Sequence, residues 1–157
     1  MDDTRRAVLI SGGRATLLAL AVAAGWIKPE DARAEGWNKS AFDGRNLDEA
    51  LKGLGAGEPA QSKEIAFVQT PEIAENGAVV PIGVASALPK TEAIAILIEK
   101  NPNTLAAVFD IAPGTEAAIS TRVKMAQTSN VYALVKADGR YYVASKEIKV
   151  TLGGCGG

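Results

Sequence analysis

The most regular pattern in the chain is an alternation of side chains between residues 117 and 125. Apolar side chains or threonine occupy every second position, and the polar positions between them include Ser120, Arg122 and Lys124. Since successive side chains of a β-strand point to opposite faces, this pattern predicts a strand with one buried and one solvated face. Strands are also predicted over 131–136 and 140–144, joined by Asp138-Gly139, a pair typical of a two-residue hairpin turn.

Shorter apolar runs extend the strand pattern over residues 65–68, 78–84, 105–111 and 148–152. The segment from Glu92 to Glu99 is apolar on both faces, which predicts a central strand. Pro81 indicates an edge position or a bulge, because proline cannot donate a hydrogen bond to a sheet. Seven or eight short strands without alternating helices predict an all-β fold, an immunoglobulin-like antiparallel β-sandwich.

One short N-terminal helix is predicted before these strands. Apolar side chains at positions 47, 50, 51 and 54 form one stripe at helical spacing. Asp43 or Asn46 is suited to cap its first turn, and a glycine-rich stretch ends it before Pro59.

Charge and composition exclude several classes of function. The 17 basic and 18 acidic residues give a net charge of -1 without a basic cluster in the body of the chain, which argues against nucleic acid as a partner. The chain has no histidine, which excludes Ser-His-Asp and Cys-His catalysis and histidine metal sites. It has one cysteine, so an intramolecular disulfide, a Cys-x-x-Cys pair and a cysteine zinc site are excluded as well. No cofactor is expected.

The first 34 residues have the layout of a bacterial export signal. Arg5-Arg6 precedes an apolar stretch over 15–24, and Ala32-Arg33-Ala34 offers a small-x-small cleavage site. The arginine pair favours the twin-arginine route to the periplasm, and about ten apolar residues are too few to span a membrane. The alternative is an N-terminal amphipathic helix. We therefore divide the chain into an export signal at 1–34, a β-sandwich domain at 35–152 and an arm at 153–157.

The C-terminal arm carries the candidate chemistry. Cys155 is flanked by Gly153, Gly154, Gly156 and Gly157. Glycine reaches nearly all backbone conformations, so a flexible, thin arm is expected that brings the thiol into a narrow channel of another protein. No Lys, Arg or His adjoins the thiol, so its activation is expected from the partner's pocket. These features predict a non-catalytic covalent carrier; the alternative is a tail whose cysteine is incidental.

The chain resembles the SoxY family of sulfur carriers from periplasmic thiosulfate oxidation. The resemblance is based on Gly153-Gly154-Cys155-Gly156-Gly157, on residues 70–81 and 109–114, and on the arginine-pair leader. It implies that Cys155 holds the sulfur intermediates and that the chain forms a heterodimer with SoxZ. It also implies transient contact with three enzymes: the haem enzyme SoxAX, the manganese hydrolase SoxB and, in some organisms, the sulfane dehydrogenase SoxCD.

Three rival hypotheses remain. A ubiquitin-like sulfur carrier also ends in Gly-Gly, but it requires ATP, and its β-grasp fold has fewer strands. The second rival is a structural protein that dimerises through a Cys155–Cys155 disulfide, which is also expected as a side reaction of a carrier. For a catalytic role, the candidate carboxylates are Asp110, Glu116 and Asp138; each lies at a strand end or turn, where solvated acids are common, so we assign them no function.

Overall fold

The computed structural model describes residues 38–152. Within that range the chain forms two short helices and nine strands. The helices are α1 (Lys39–Phe42) and α2 (Leu47–Gly53). The strands are β1 (Ala60–Gln61), β2 (Ile65–Val68), β3 (Ile73–Asn76), β4 (Val80–Ser86), β5 (Thr91–Ile98), β6 (Leu105–Asp110), β7 (Ala118–Val123), β8 (Ser129–Ala137) and β9 (Arg140–Leu152).

The strands form two sheets. The larger sheet has the order β1-β9-β8-β5-β6, with β3 also paired to β9, and the smaller sheet has the order β2-β4-β7. The core between them contains alternate residues of three strands, among them Ile82 of β4, Ile96 of β5 and Val135 of β8, all fully buried. The predicted all-β sandwich is therefore confirmed. The strand pairing differs from the predicted antiparallel arrangement in one respect, because β1 and β3 both run parallel to β9.

β5 is central, as its sequence predicts, since it pairs with both β6 and β8. Ile94, Ile96 and Ile98 pack into the core between the sheets. Ala95 and Leu97 point to the opposite face, where the helices cover them. Burial on both faces explains why this segment lacks the alternation that is seen in β7.

The predicted helix is present, and Asn46 rather than Asp43 caps it: the Asn46 side chain accepts a hydrogen bond from the Glu49 N–H at 2.8 Å. The Asp138-Gly139 turn has positive φ at both residues, 49° and 72°, as a two-residue hairpin of this kind requires. Pro81 lies in the middle strand of the smaller sheet. However, β2 pairs with β4 only from Gly83 onwards, so at Pro81 the strand is bonded to β7 alone.

Candidate functional site

The predicted sulfur-attachment residue lies just beyond the described part of the chain. Cys155 and the glycines at 153, 154, 156 and 157 are outside residues 38–152, as is the predicted export signal at 1–34. The described chain ends at Leu152, three residues before Cys155. The structure therefore defines the point from which the candidate arm starts and the surroundings of that point.

The last four residues of β9 are held mainly by β3 and the residues directly before and after it. The Lys149 N–H donates to the Glu72 carbonyl at 2.9 Å, and the Thr151 hydroxyl donates to the Glu75 carbonyl at 2.9 Å. The Gly77 N–H donates to the Leu152 carbonyl at 2.7 Å. β9 is thus anchored up to its final described residue.

This anchoring continues after β8 has ended. The pairing of β8 with β9 stops at Ser129 and Ile148, and beyond it the Val150 N–H donates to the Thr128 hydroxyl at 3.0 Å. The turn after β3 is fixed in its own right, because the Met125 N–H donates to the Gly77 carbonyl at 2.7 Å. Asn76 shapes the same turn by accepting from the Ala78 N–H at 2.8 Å. The start of the arm is therefore a fixed point on the sandwich.

The sequence does not predict this anchor. Asn76-Gly77 is a pair typical of a turn, but nothing before it predicts the strand β3. β3 is four residues long and has only Ala74 buried, so it carries too little apolar pattern to be recognised. Its strand conformation comes from pairing with β9, which lies more than 70 residues away in the sequence.

The apolar surface near this point is unusual for this chain. Among the described residues, four large hydrophobic side chains are exposed: Val68, Ile73, Val79 and Leu152. Ile73 belongs to β3, Leu152 is bonded to Gly77, and Val79 is two residues further along. Val79 and Leu152 therefore lie within two residues of the Gly77–Leu152 hydrogen bond, whereas Ile73 lies beside Lys149, three residues before Leu152.

The carboxylates considered for catalysis do not come together as a site. Asp138 forms an ion pair with Lys90 at 2.9 Å, and the hydrogen bond from the Lys90 ammonium lowers the pKa of this carboxyl. Asp110 and Glu116 are exposed, at the end of β6 and in the following loop. Within residues 38–152, no group of three or more acidic residues is placed to hold a metal ion. Nor is any helix in that range long and apolar enough to cross a bilayer.

A shallow depression of about 430 Å³ lies beside Arg140, Tyr141 and Tyr142 at the beginning of β9. Leu152 is twelve residues further along the same strand, a distance of roughly 40 Å at the usual rise. Cys155 follows Leu152 by only three residues, or about 10 Å of extended chain. The thiol of the same chain cannot reach this depression, so the surface within reach of Cys155 is the one around Leu152.

Comparison with known proteins points to one family. The sequence model of the family described as "Sulfur oxidation protein SoxY" matches residues 51–155. The solved structure of the sulfur carrier protein SoxY from Chlorobium limicola f thiosulfatophilum is 38% identical, with a TM-score of 0.59, and the match covers 68% of this chain and 97% of that chain. A superoxide reductase (neelaredoxin) from Ignicoccus hospitalis is 17% identical, with a TM-score of 0.49 over 55% of this chain and 79% of that chain. Comparison with curated protein sequences gives no significant match.

Proposed function

Since the chain belongs to the SoxY family of sulfur oxidation proteins, we propose that it carries the intermediates of thiosulfate oxidation as covalent adducts of Cys155. The observation that carries the proposal is the extent of the family match, which runs to residue 155 and so includes the only cysteine of the chain. The anchored end of β9 supports it, because a carrier needs a fixed point from which to present its thiol. The chain itself catalyses no step; separate enzymes act on the adduct.

The chemistry follows from the thiol and its cargo. In the loading step, the Cys155 sulfur forms a bond to the outer sulfur of thiosulfate, and one proton and two electrons leave; the electrons pass to the haem of SoxAX. Water then attacks the sulfonate sulfur under catalysis by SoxB, which releases sulfate and a proton and leaves a persulfide on Cys155. Where SoxCD is present, it oxidises the remaining sulfane sulfur. Because the intermediate stays bound to one carrier, each later step acts on a tethered substrate and not on one that has diffused into solution.

The proposed assembly is a heterodimer with SoxZ, which contributes no thiol in this scheme. Activation of Cys155 is assigned to the pockets of the enzymes, because no basic side chain adjoins it in the sequence. An unperturbed cysteine has a pKa of about 8.5, so only a few per cent is thiolate at neutral pH. A thiol that becomes nucleophilic only inside a pocket is protected from unwanted reactions elsewhere.

We also propose that the chain works in the periplasm and that residues 1–34 direct its export in the folded state. The family resemblance implies that SoxZ has no export signal of its own. Twin-arginine export would carry SoxZ across the membrane together with this chain. The arginine pair supports this route. Substituting Arg5 and Arg6 by lysine is expected to retain both subunits in the cytoplasm, which fractionation and immunoblotting would detect.

The decisive experiment is intact mass spectrometry of the protein from cells that oxidise thiosulfate. Wild-type protein is expected to carry mass increases matching a thiosulfonate group and an added sulfur atom, and Cys155→Ser is expected to carry neither. Cells with Cys155→Ser should not grow on thiosulfate. Growth of those cells with loss only of a disulfide-linked dimer would favour the structural alternative. Deletion of Gly157 separates the ubiquitin-like alternative, since a terminal thiocarboxylate carrier would lose all its function.

A further inference from the structure

We propose that Asn76 is a site of spontaneous deamidation, and that the hydrogen bond from the Gly77 N–H to the Leu152 carbonyl protects it. Asn76-Gly77 is the only Asn-Gly pair in the chain. The modification needs no enzyme and no cofactor, and its only co-reactant is water. The proposal is independent of the carrier function, because it concerns how long the turn after β3 stays chemically intact.

The reaction begins at the main chain. The Gly77 nitrogen loses its proton and attacks Cγ of the Asn76 side chain; the Cγ–Nδ2 bond breaks, and ammonia leaves with a proton taken from solvent. Water then opens the succinimide ring at either carbonyl, which gives aspartate or isoaspartate. Glycine in the second position favours the attack, because it has no Cβ to obstruct the approach of its nitrogen. Both products add a negative charge, and isoaspartate also adds one atom to the main chain.

The side chain of Asn76 is open to water, but its main chain is held. Asn76 is exposed, whereas Gly77 is buried. The Gly77 N–H donates to the Leu152 carbonyl at 2.7 Å, and the Asn76 carbonyl accepts a second, longer bond of 3.4 Å from the N–H of Val79. Both polar groups of the peptide unit between Asn76 and Gly77 are therefore bonded. Asn76 ends β3 with extended backbone, and ring closure requires rotation of this peptide unit, which breaks both bonds.

The surrounding hydrogen bonds make that rotation rarer. Asn76 Oδ1 accepts from the Ala78 N–H at 2.8 Å, which holds the carboxamide against the turn. The Met125 N–H donates to the Gly77 carbonyl at 2.7 Å, which fixes the next peptide unit. A bonded amide proton is removed only when its bond opens, and Gly77 must lose this proton before it attacks. The rate of deamidation is therefore set by how often the end of β9 separates from the turn after β3.

Two side-chain hydrogen bonds hold the end of β9 without involving the Asn-Gly pair. The Thr151 hydroxyl donates to the Glu75 carbonyl at 2.9 Å. The Val150 N–H donates to the Thr128 hydroxyl at 3.0 Å. Loss of either bond should let the end of β9 separate from the turn more often. A hydrogen bond of ordinary net strength changes that opening equilibrium by about fivefold.

The test measures deamidation of the full chain during incubation at mildly alkaline pH, with peptide mapping by mass spectrometry to identify aspartate and isoaspartate at position 76. Wild type unfolded in urea is expected to deamidate at Asn76 at least about tenfold faster than native wild type. Native Thr151→Val and Thr128→Val should each deamidate about fivefold faster than native wild type. Amide hydrogen exchange at Gly77 should rise by the same factor in both variants, because the same opening exposes its proton.

Thr115→Val is the matched control. It removes a hydroxyl that donates to the Ala112 carbonyl at 2.6 Å, in the loop after β6, a strand that does not pair with β9. It is expected to leave the rate at Asn76 unchanged. A wild-type rate in either of the other threonine variants, or an equal rise in Thr115→Val, would show that β9 does not protect the site. Equal rates in native and unfolded wild type, or no deamidation even in urea, would overturn the proposal as a whole.

Discussion

A methyl group added at Gly83 of β4 should lower the stability of the β-sandwich, because this residue lies very close to β2. A Cβ at this residue would lie 2.2 Å from the Val68 carbonyl oxygen and 3.1 Å from Val68 Cγ2. The close approach arises because β2 ends here and the chain turns away at Gln69, which has a φ of 51°. Both nearby atoms belong to a paired strand, so relief of the clash requires β2 to move.

The same movement would disturb Thr70. Its hydroxyl oxygen accepts from the Gly83 N–H at 3.0 Å and lies 3.1 Å from both the Gly83 and Val68 carbonyl oxygens. This side chain therefore supplies the hydrogen bond to Gly83 that a neighbouring strand would otherwise provide. Overpacking costs about 1–3 kcal/mol, and the loss of a hydrogen bond at a buried residue adds roughly 1 kcal/mol. Gly83→Ala should therefore lower the free energy of unfolding by about 2–4 kcal/mol.

Urea unfolding followed by far-ultraviolet circular dichroism measures this loss as a lower midpoint with an unchanged m-value. Thr70→Val removes the hydroxyl without adding a methyl clash, and it should cost only about 1–2 kcal/mol. Ala106→Val enlarges an exposed side chain of β6 and should change stability by less than about 0.5 kcal/mol. A Gly83→Ala protein as stable as wild type would refute the reasoning, because it would mean that β2 can move without a loss of stability.

Two further predictions concern the core and the hairpin. Ile96→Ala removes a fully buried side chain between the sheets and should cost about 2–5 kcal/mol in urea unfolding; a loss below about 1 kcal/mol would contradict the packing described. Glu92 accepts hydrogen bonds from Lys136 at 2.9 Å and from the Gly139 N–H at 2.7 Å, which hold its pKa below the ordinary value of 4.5. Its stabilising contribution is therefore present above about pH 4.5 and is lost as the pH falls through the lowered pKa, so Glu92→Gln should be less stable than wild type at pH 7 and approach it in acid. Unfolding measured from pH 7 to 3 tests this, and a difference that stays constant or widens in acid would contradict it.

Those parts of the fold that depend on local pattern could be predicted from the sequence. β5 carries apolar residues on both faces, so its central place follows from burial. The turn at Asp138-Gly139 follows from the backbone freedom of those two residues. The strand over 117–125 was placed correctly by its alternation, although the structure trims it to Ala118–Val123. In each case the local preference and the tertiary environment agree.

The elements that were missed depend on contacts between distant parts of the chain. β3 contains Glu75 and Asn76 and gains its strand conformation only by pairing with β9. β9 was predicted as two strands because polar residues interrupt its apolar pattern at 145–147. Pairing with β8 up to Ile148, and with β3 beyond it, keeps the strand continuous from Arg140 to Leu152. The candidate thiol could be identified from its sequence context, but the strand that holds the end of β9 could not, because β3 forms only in the assembled sandwich.

The parallel alignment of β3 with β9 has a mechanical consequence. A pull on the chain beyond Leu152, directed along β9, acts across the hydrogen bonds that join this strand to β3 and β8 rather than in line with them. Those bonds are then loaded together in shear rather than opened one after another. In the proposed carrier function, withdrawal of Cys155 from an enzyme would therefore load the whole strand and not only the end of the sheet.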